Sequence, residues 1–200
     1  MRRDNSVVSM NENHGRVCGG PEWAEFMQTE LLPSFLSDLD LGHDLLELGP
    51  GPGASTEWLR KRVGRLVVLE LEDEAAQKLA VRFADSNVQV LRGDATAMTF
   101  DDESFDSVGA FTMLHHVPTV ADQNRLLAEA LRVLRPGGVL VGSDGLSSVQ
   151  GHHFHEEDIY NPIEPGTLLT RLQTLGFREV TIIVDTHLKF IARKAVGAQE

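Results

Sequence analysis

One cysteine, Cys18, excludes a disulfide within the chain and fits a reducing compartment. No apolar run approaches the length of about 20 residues that crosses a bilayer. Arg2 and Arg3 resemble the start of a signal peptide, but only Val7-Val8 follows, too short for its apolar core. Basic residues are also few: 18 Lys and Arg against 30 Asp and Glu leave a formal net charge of -12. That sign argues against a long polyanionic substrate. Arg60, Lys61, Arg62 and Arg65 cluster, yet they read as a solvated helix end where positive charge suits the dipole. No repeat or linker divides the chain. The expectation is a cytoplasmic protein of one domain, with no membrane or nucleic-acid partner, as a monomer or homodimer. With 200 residues, 42% of them hydrophobic, it can build a proper core.

What is present is organised around Asp44 to Thr56, DLLELGPGPGAST. A short apolar strand is followed by a glycine-rich turn and by a helix that Ser55 or Thr56 can cap, the opening of a nucleotide-binding α/β fold. Such turns usually hold a pyrophosphate on backbone N–H groups. Here Pro50 and Pro52 remove two donors and Glu47 would repel phosphate. A nucleoside ligand carrying positive charge suits the turn better, and S-adenosylmethionine (SAM), with its sulfonium and ammonium, is such a ligand. Gly49-x-Gly51-x-x-Ala54 also fits the fingerprint of an NAD-type oxidoreductase, against which the prolines and Glu47 tell.

Along the chain, residues 1–20 read as a polar arm, disordered or acting as a lid, and 21–200 as a single domain. Residues 22–39 read as a helix that Pro33 kinks or breaks. Strands are expected at 44–48, 66–71, 87–91, 105–111 and 139–142, with helices between most of them. Residues 143–165 read as a long irregular connection, 168–175 as a helix, and 180–184 with 187–192 as an antiparallel hairpin. Alternating strands and helices give a three-layer α/β sandwich with a mainly parallel sheet. Ligands then sit at the carboxyl ends of the strands. The Gly49 turn, Glu70, Asp94 and Phe111 all fall there.

Glu70 stands where an acid reads ribose hydroxyls in dinucleotide folds, its alternative being a helix cap. Asp94 can accept from an adenine amine, with the Ala95 N–H on a ring nitrogen, or can simply make a turn. Leu71 is expected against the adenine face. His115 and His116, just past the fourth strand, are candidate bases for a hydroxyl or acidic-carbon acceptor, or they cap and pack the turn. His152 and His155 could supply part of a metal set, but no second ligand cluster accompanies them at a known spacing. A solvated, substrate-facing loop is the preferred reading, with no metal. Phe154, Tyr160 and Trp23 are candidate pocket walls.

Leu46 to Gly53, Glu70, Gly93-Asp94-Ala95-Thr96, Phe105-Asp106 and Leu134 to Gly138 stand in the order and rough spacing of the class I SAM-dependent methyltransferases. Over about 41–141 the chain resembles their small-molecule "methyltransferase type 11" group. That resemblance implies a Rossmann-like methyltransferase fold, a seven-stranded sheet of order 3-2-1-4-5-7-6 with strand 7 antiparallel. It implies SAM as cofactor, with Glu47 and the turn Gly49, Gly51, Gly53 at the methionine end, Glu70 at the ribose and Asp94 at the adenine. It also implies methyl transfer to a small molecule by in-line displacement, with proximity and orientation as the main catalytic effect. Residues 46–83 also resemble the rRNA adenine dimethyltransferases, but Phe111-Thr112-Met113-Leu114-His115-His116 replaces their base-clamping motif. A non-catalytic SAM-binding module is a further alternative.

Overall fold

A computed structural model of the protein describes residues 12–156 and 158–197. Residues 1–11 of the expected arm lie outside these. The remainder of the arm is helical rather than irregular: α1 (Glu12–Cys18) ends where the Gly19 and Gly20 N–H groups bond back to the carbonyls of Gly15 and Val17. Next come α2 (Pro21–Phe26), a π-helical turn over Met27–Leu31 and α3 (Pro33–Leu36). Pro33 explains the break. It has no N–H to return to residue 29, and the Leu32 N–H reaches the Met27 carbonyl at 3.1 Å in a wider turn.

The alternating part follows as β1 (Asp44–Leu48), α4 (Ala54–Leu59), β2 (Arg65–Glu70), α5 (Asp73–Arg82), β3 (Val88–Arg92), β4 (Phe105–Phe111), a 3-10 turn at Leu114–His116, and α6 (Val120–Val133). Then come β5 (Leu134–Asp144), α7 (Val149–Phe154), α8 (Pro165–Leu175), β6 (Phe177–Val184) and β7 (Leu188–Lys194). The sheet order is β3-β2-β1-β4-β5-β7-β6, with β7 antiparallel to both neighbours. Two expectations change. β5 is longer than 139–142 and ends at Asp144, and the connection after it contains α7, whose Ser148 Oγ accepts from the Gly151 N–H at 2.9 Å.

The central strands are largely apolar because both faces of the sheet are covered. Leu46, Leu48, Val67 and Val108 join one core with α6 and α8. Leu45, Leu66, Val68 and Val139 join the other with the N-terminal helices, α4 and α5. Since side chains alternate along a strand, Glu47 must share the α4 face with Leu45. At the amino ends, Arg135 Nη1 reaches Asp106 at 2.6 Å and Asp44 at 3.1 Å, while Asp106 accepts from the His43 and Asp44 N–H groups. Desolvation would raise the Asp44 carboxyl, but hydrogen bonds from Arg65 and Arg135 outweigh it and hold it below its ordinary range.

Candidate active site

The chain leaves β1 through three left-handed glycines, Gly49 (φ 55°), Gly51 (φ 53°) and Gly53 (φ 86°), a conformation that strains any other residue. The turn uses its own amides sparingly. Gly49 N–H bonds to the Leu69 carbonyl at 2.9 Å and Gly53 N–H to that of Pro50 at 3.0 Å. Above Gly51 there is open space, since a Cβ built there meets nothing within 4 Å.

Glu47 is fully buried, and its carboxylate accepts from Ser55 Oγ and, at 2.6 Å, from Thr56 Oγ1. This corrects the expected cap of α4: its N-cap is Gly53, with no side-chain bond, and the two hydroxyls serve Glu47 instead. Burial pushes the Glu47 carboxyl up to about 7; the two hydroxyls oppose the shift and the charge of Glu70 adds to it. Glu70 is 7% exposed and is raised by burial, against hydrogen bonds from the backbone N–H groups of Glu72, Leu71 and Gly51. Two acids therefore converge on the glycine turn, from adjacent strands.

Leu71 leaves β2 with 46% of its surface exposed. Asp94 is exposed and its Oδ1 accepts from the Thr96 N–H and hydroxyl, both at 2.8 Å, so one carboxylate oxygen already makes a turn. Ala95 beside it is half-buried. Phe111, expected at the cofactor, offers its backbone rather than its ring. It is 4% exposed, packed in the core with Leu45 and Trp58, and its ring lies over Gly109, leaving only its backbone at the strand exit.

Beyond β4 the two histidines occupy the 3-10 turn. His115 is buried, its Nδ1 stands 2.5 Å from Asp144 Oδ1 at the end of β5, and its backbone N–H reaches the other oxygen at 3.2 Å. His116 Nδ1 lies 3.2 Å from the Ile159 carbonyl. The 158–163 segment is latched over this turn: Asn161 N–H bonds to the His115 carbonyl at 2.7 Å, Asn161 Nδ2 to that of Val117, and Gln123 Nε2 to the carbonyls of both Leu114 and Asn161. Tyr160 stacks on His155 at 4.2 Å, and His155 lies edge-on to His115 at 4.9 Å between ring centroids. His152 is exposed and touches Tyr160 from outside. Trp23 packs on Phe26 rather than on these residues.

Asp144 is the main residue that sequence reasoning missed. The rule that selected Glu70 and Asp94, an acid at a strand exit, finds it once β5 is carried two residues past Gly142. Thr112 gave no signal: it is a β-branched residue held at φ 50°, where such side chains are strained, directly after β4. Met113 next to it covers Gly49, where an added Cβ would lie 3.0 Å from its Cε. Two cavities of about 220 and 350 Å³ involve none of these residues.

Residues 46–142 match the family described as "Methyltransferase domain". The phthiotriol/phenolphthiotriol dimycocerosates methyltransferase of Mycobacterium leprae is 30% identical over 179 residues, covering 79% of this chain and 62% of that protein. Residues 46–142 of the chain are thus a methyltransferase domain, in the fold of the class I SAM-dependent methyltransferases. The demethylmenaquinone methyltransferase of Clavibacter sepedonicus is 34% identical over 101 residues, covering 50% of this chain and 40% of the relative. The chain thus spans less than two thirds of the length of either relative. Among solved structures, a SAM-dependent methyltransferase from Aquifex aeolicus superposes with a TM-score of 0.71 at 17% identity, covering 92% of this chain and 98% of its own. A chain from a complex containing the Haloferax volcanii Trm112 methyltransferase activator gives 0.77 at 18%, covering 98% and 100%; both likenesses speak for the fold. Among the described residues no helix is long and apolar enough to cross a membrane. SAM, the family's cofactor, fits these residues: room above Gly51, carboxylates rather than amide donors around the turn, and an exposed apolar Leu71 for a flat ring.

Proposed function

We propose that this chain methylates a small-molecule acceptor with SAM as donor, using the carboxyl ends of β1 to β5 as its site. The observation that carries the reading is the convergence of Glu47 and Glu70 on a left-handed glycine turn, one strand away from the His115–Asp144 pair. When bound, SAM supplies an electrophilic methyl group on a sulfonium. Glu70 would hold the ribose hydroxyls, Leu71 the adenine face, and Asp94 with Ala95 the adenine edge. Glu47 and the turn would face the positive end. Most of the acceleration is positional, and here the latch of Asn161 and Gln123 is what fixes the acceptor side. His115, oriented by Asp144, would hold the proton released by a hydroxyl acceptor.

The formal net charge of -12 favours a small acceptor over nucleic acid. So do relatives whose names carry phthiotriol and demethylmenaquinone. Residues 12–20, the described part of the expected arm, are proposed as a lid on the single domain formed by 21–200. Gly19, after α1, already approaches the turn, its built Cβ lying 3.8 Å from Pro52 Cγ. The test is transfer of labelled methyl from SAM into a metabolite extract, with calorimetry of S-adenosylhomocysteine alongside. Label should enter an extractable small molecule, and Glu70→Ala should bind the product at least tenfold more weakly. No binding of either SAM or its product by the intact chain would end the proposal.

A further inference from the structure

The expectation of no metal rested on the lack of a second ligand cluster beside His152 and His155. Folding supplies one. His155, not His152, comes against His115 and His116, and one ring nitrogen of each of the three lies within 4.8 Å of the others. The three come from two separate parts of the chain, the β4 exit and the end of α7.

The second ring nitrogen of each decides the chemistry. His115 Nδ1 faces the Asp144 carboxylate at 2.5 Å, His116 Nδ1 the Ile159 carbonyl at 3.2 Å, and His155 Nδ1 the Gly151 carbonyl at 2.7 Å. All three partners are acceptors, so each neutral imidazole carries its proton on Nδ1 and its lone pair on Nε2. Metal-binding histidines are oriented in this way, by a carboxylate or carbonyl on the other nitrogen. Histidines that only pack have no need of the same tautomer three times. We infer that His115, His116 and His155 form a three-imidazole site for a divalent transition-metal ion of the zinc class.

Nitrogens on a tetrahedral zinc ion at about 2.0–2.1 Å stand roughly 3.3 Å apart. The trio therefore has to draw together by at most roughly 1.5 Å, a matter of side-chain rotation. The ion would pin the segment carrying His155 and Tyr160 onto the β4 exit, adding to the Asn161 latch. With His115 Nε2 on the ion, the proton-holding role proposed for His115 would give way to the ion, which would bind an acceptor hydroxyl and make it more acidic, its proton passing to solvent. That last role rests on the methyl-transfer reading; the site itself does not.

The experiment uses untagged full-length protein, stripped with chelator and dialysed against zinc. Bound metal is counted by mass spectrometry, the Kd is read by competition, and S-adenosylhomocysteine binding is measured on the same samples. One equivalent of zinc is expected. His155→Ala should lose it. Asp144→Asn should bind it 10- to 100-fold more weakly through the lost orientation of His115. His153→Ala, exposed and outside the trio, is expected to retain it. No retained zinc, or equal retention or equal loss in His155→Ala and His153→Ala, overturns the site. Product binding without zinc removes the metal and leaves the methyltransferase reading; zinc binding without product does the reverse.

Discussion

Glu47 offers the sharpest test of how this site is charged. A carboxyl raised from 4.5 to about 7 by burial carries a penalty of about 3 kcal/mol on its ionised form. The sign follows from proton counting. Between pH 4.5 and 7 the folded protein holds a proton at Glu47 that the unfolded chain has released, so this group's contribution to stability falls as pH rises through that window. Below it nothing is lost. Glu47→Gln keeps a buried group of the same shape, able to bond to Ser55 and Thr56, and never ionises. Relative to wild type, the variant should gain about 2 kcal/mol more stability at pH 8 than at pH 5. Urea denaturation of both proteins at the two pH values measures this difference, and contributions from titrating groups not coupled to Glu47 cancel in it. If the variant's advantage is the same at both pH values, the carboxylate is not penalised and the electrostatic account of the turn fails. The same linkage ties the cofactor to pH. A cation facing Glu47 favours the ionised carboxylate, so wild-type affinity for SAM should rise between pH 5 and 8. In Glu47→Gln that rise should flatten.

Gly53→Ala places a Cβ 2.9 Å from Leu79 and 3.0 Å from Phe83 at φ 86°, so we expect a loss of about 2 kcal/mol by denaturant titration, with weakened cofactor binding. Unchanged stability would mean the α4–α5 contact is loose. Thr112→Gly removes a strained left-handed threonine and should stabilise the fold by about 1 kcal/mol while slowing methyl transfer, as judged by single-turnover rates. A stabilised variant of full activity would show the strain to be incidental.

The sheet was largely readable because its determinants are local. The apolar run Leu66–Leu69, and Leu45–Leu48 broken only by Glu47, fit strands covered on both faces, and the three glycines of the turn take left-handed φ values that only glycine adopts without strain. The same strand-exit logic selects the acids Glu70 and Asp94 as candidates, and both do lie at or just past strand ends. What was not readable depends on long-range contact. Phe111 alternates to the α4 face and into the core, a matter of sheet parity that its position at the exit hides. Ser55 and Thr56 look like caps until both hydroxyls are seen to donate to the buried Glu47 carboxylate. Asp144 and His155 come to His115 across 29 and 40 residues of chain, one by extension of β5 and the other by the docking of a segment that carries no periodic pattern.

The ionic knot of Arg135, Asp44 and Asp106 acts like the rivet of a fan. It fastens β1 and β4 to the start of β5 at the edge farthest from the chemistry. Loops on the opposite rim can therefore be exchanged or lengthened without disturbing strand register, leaving one frame free to serve many acceptors.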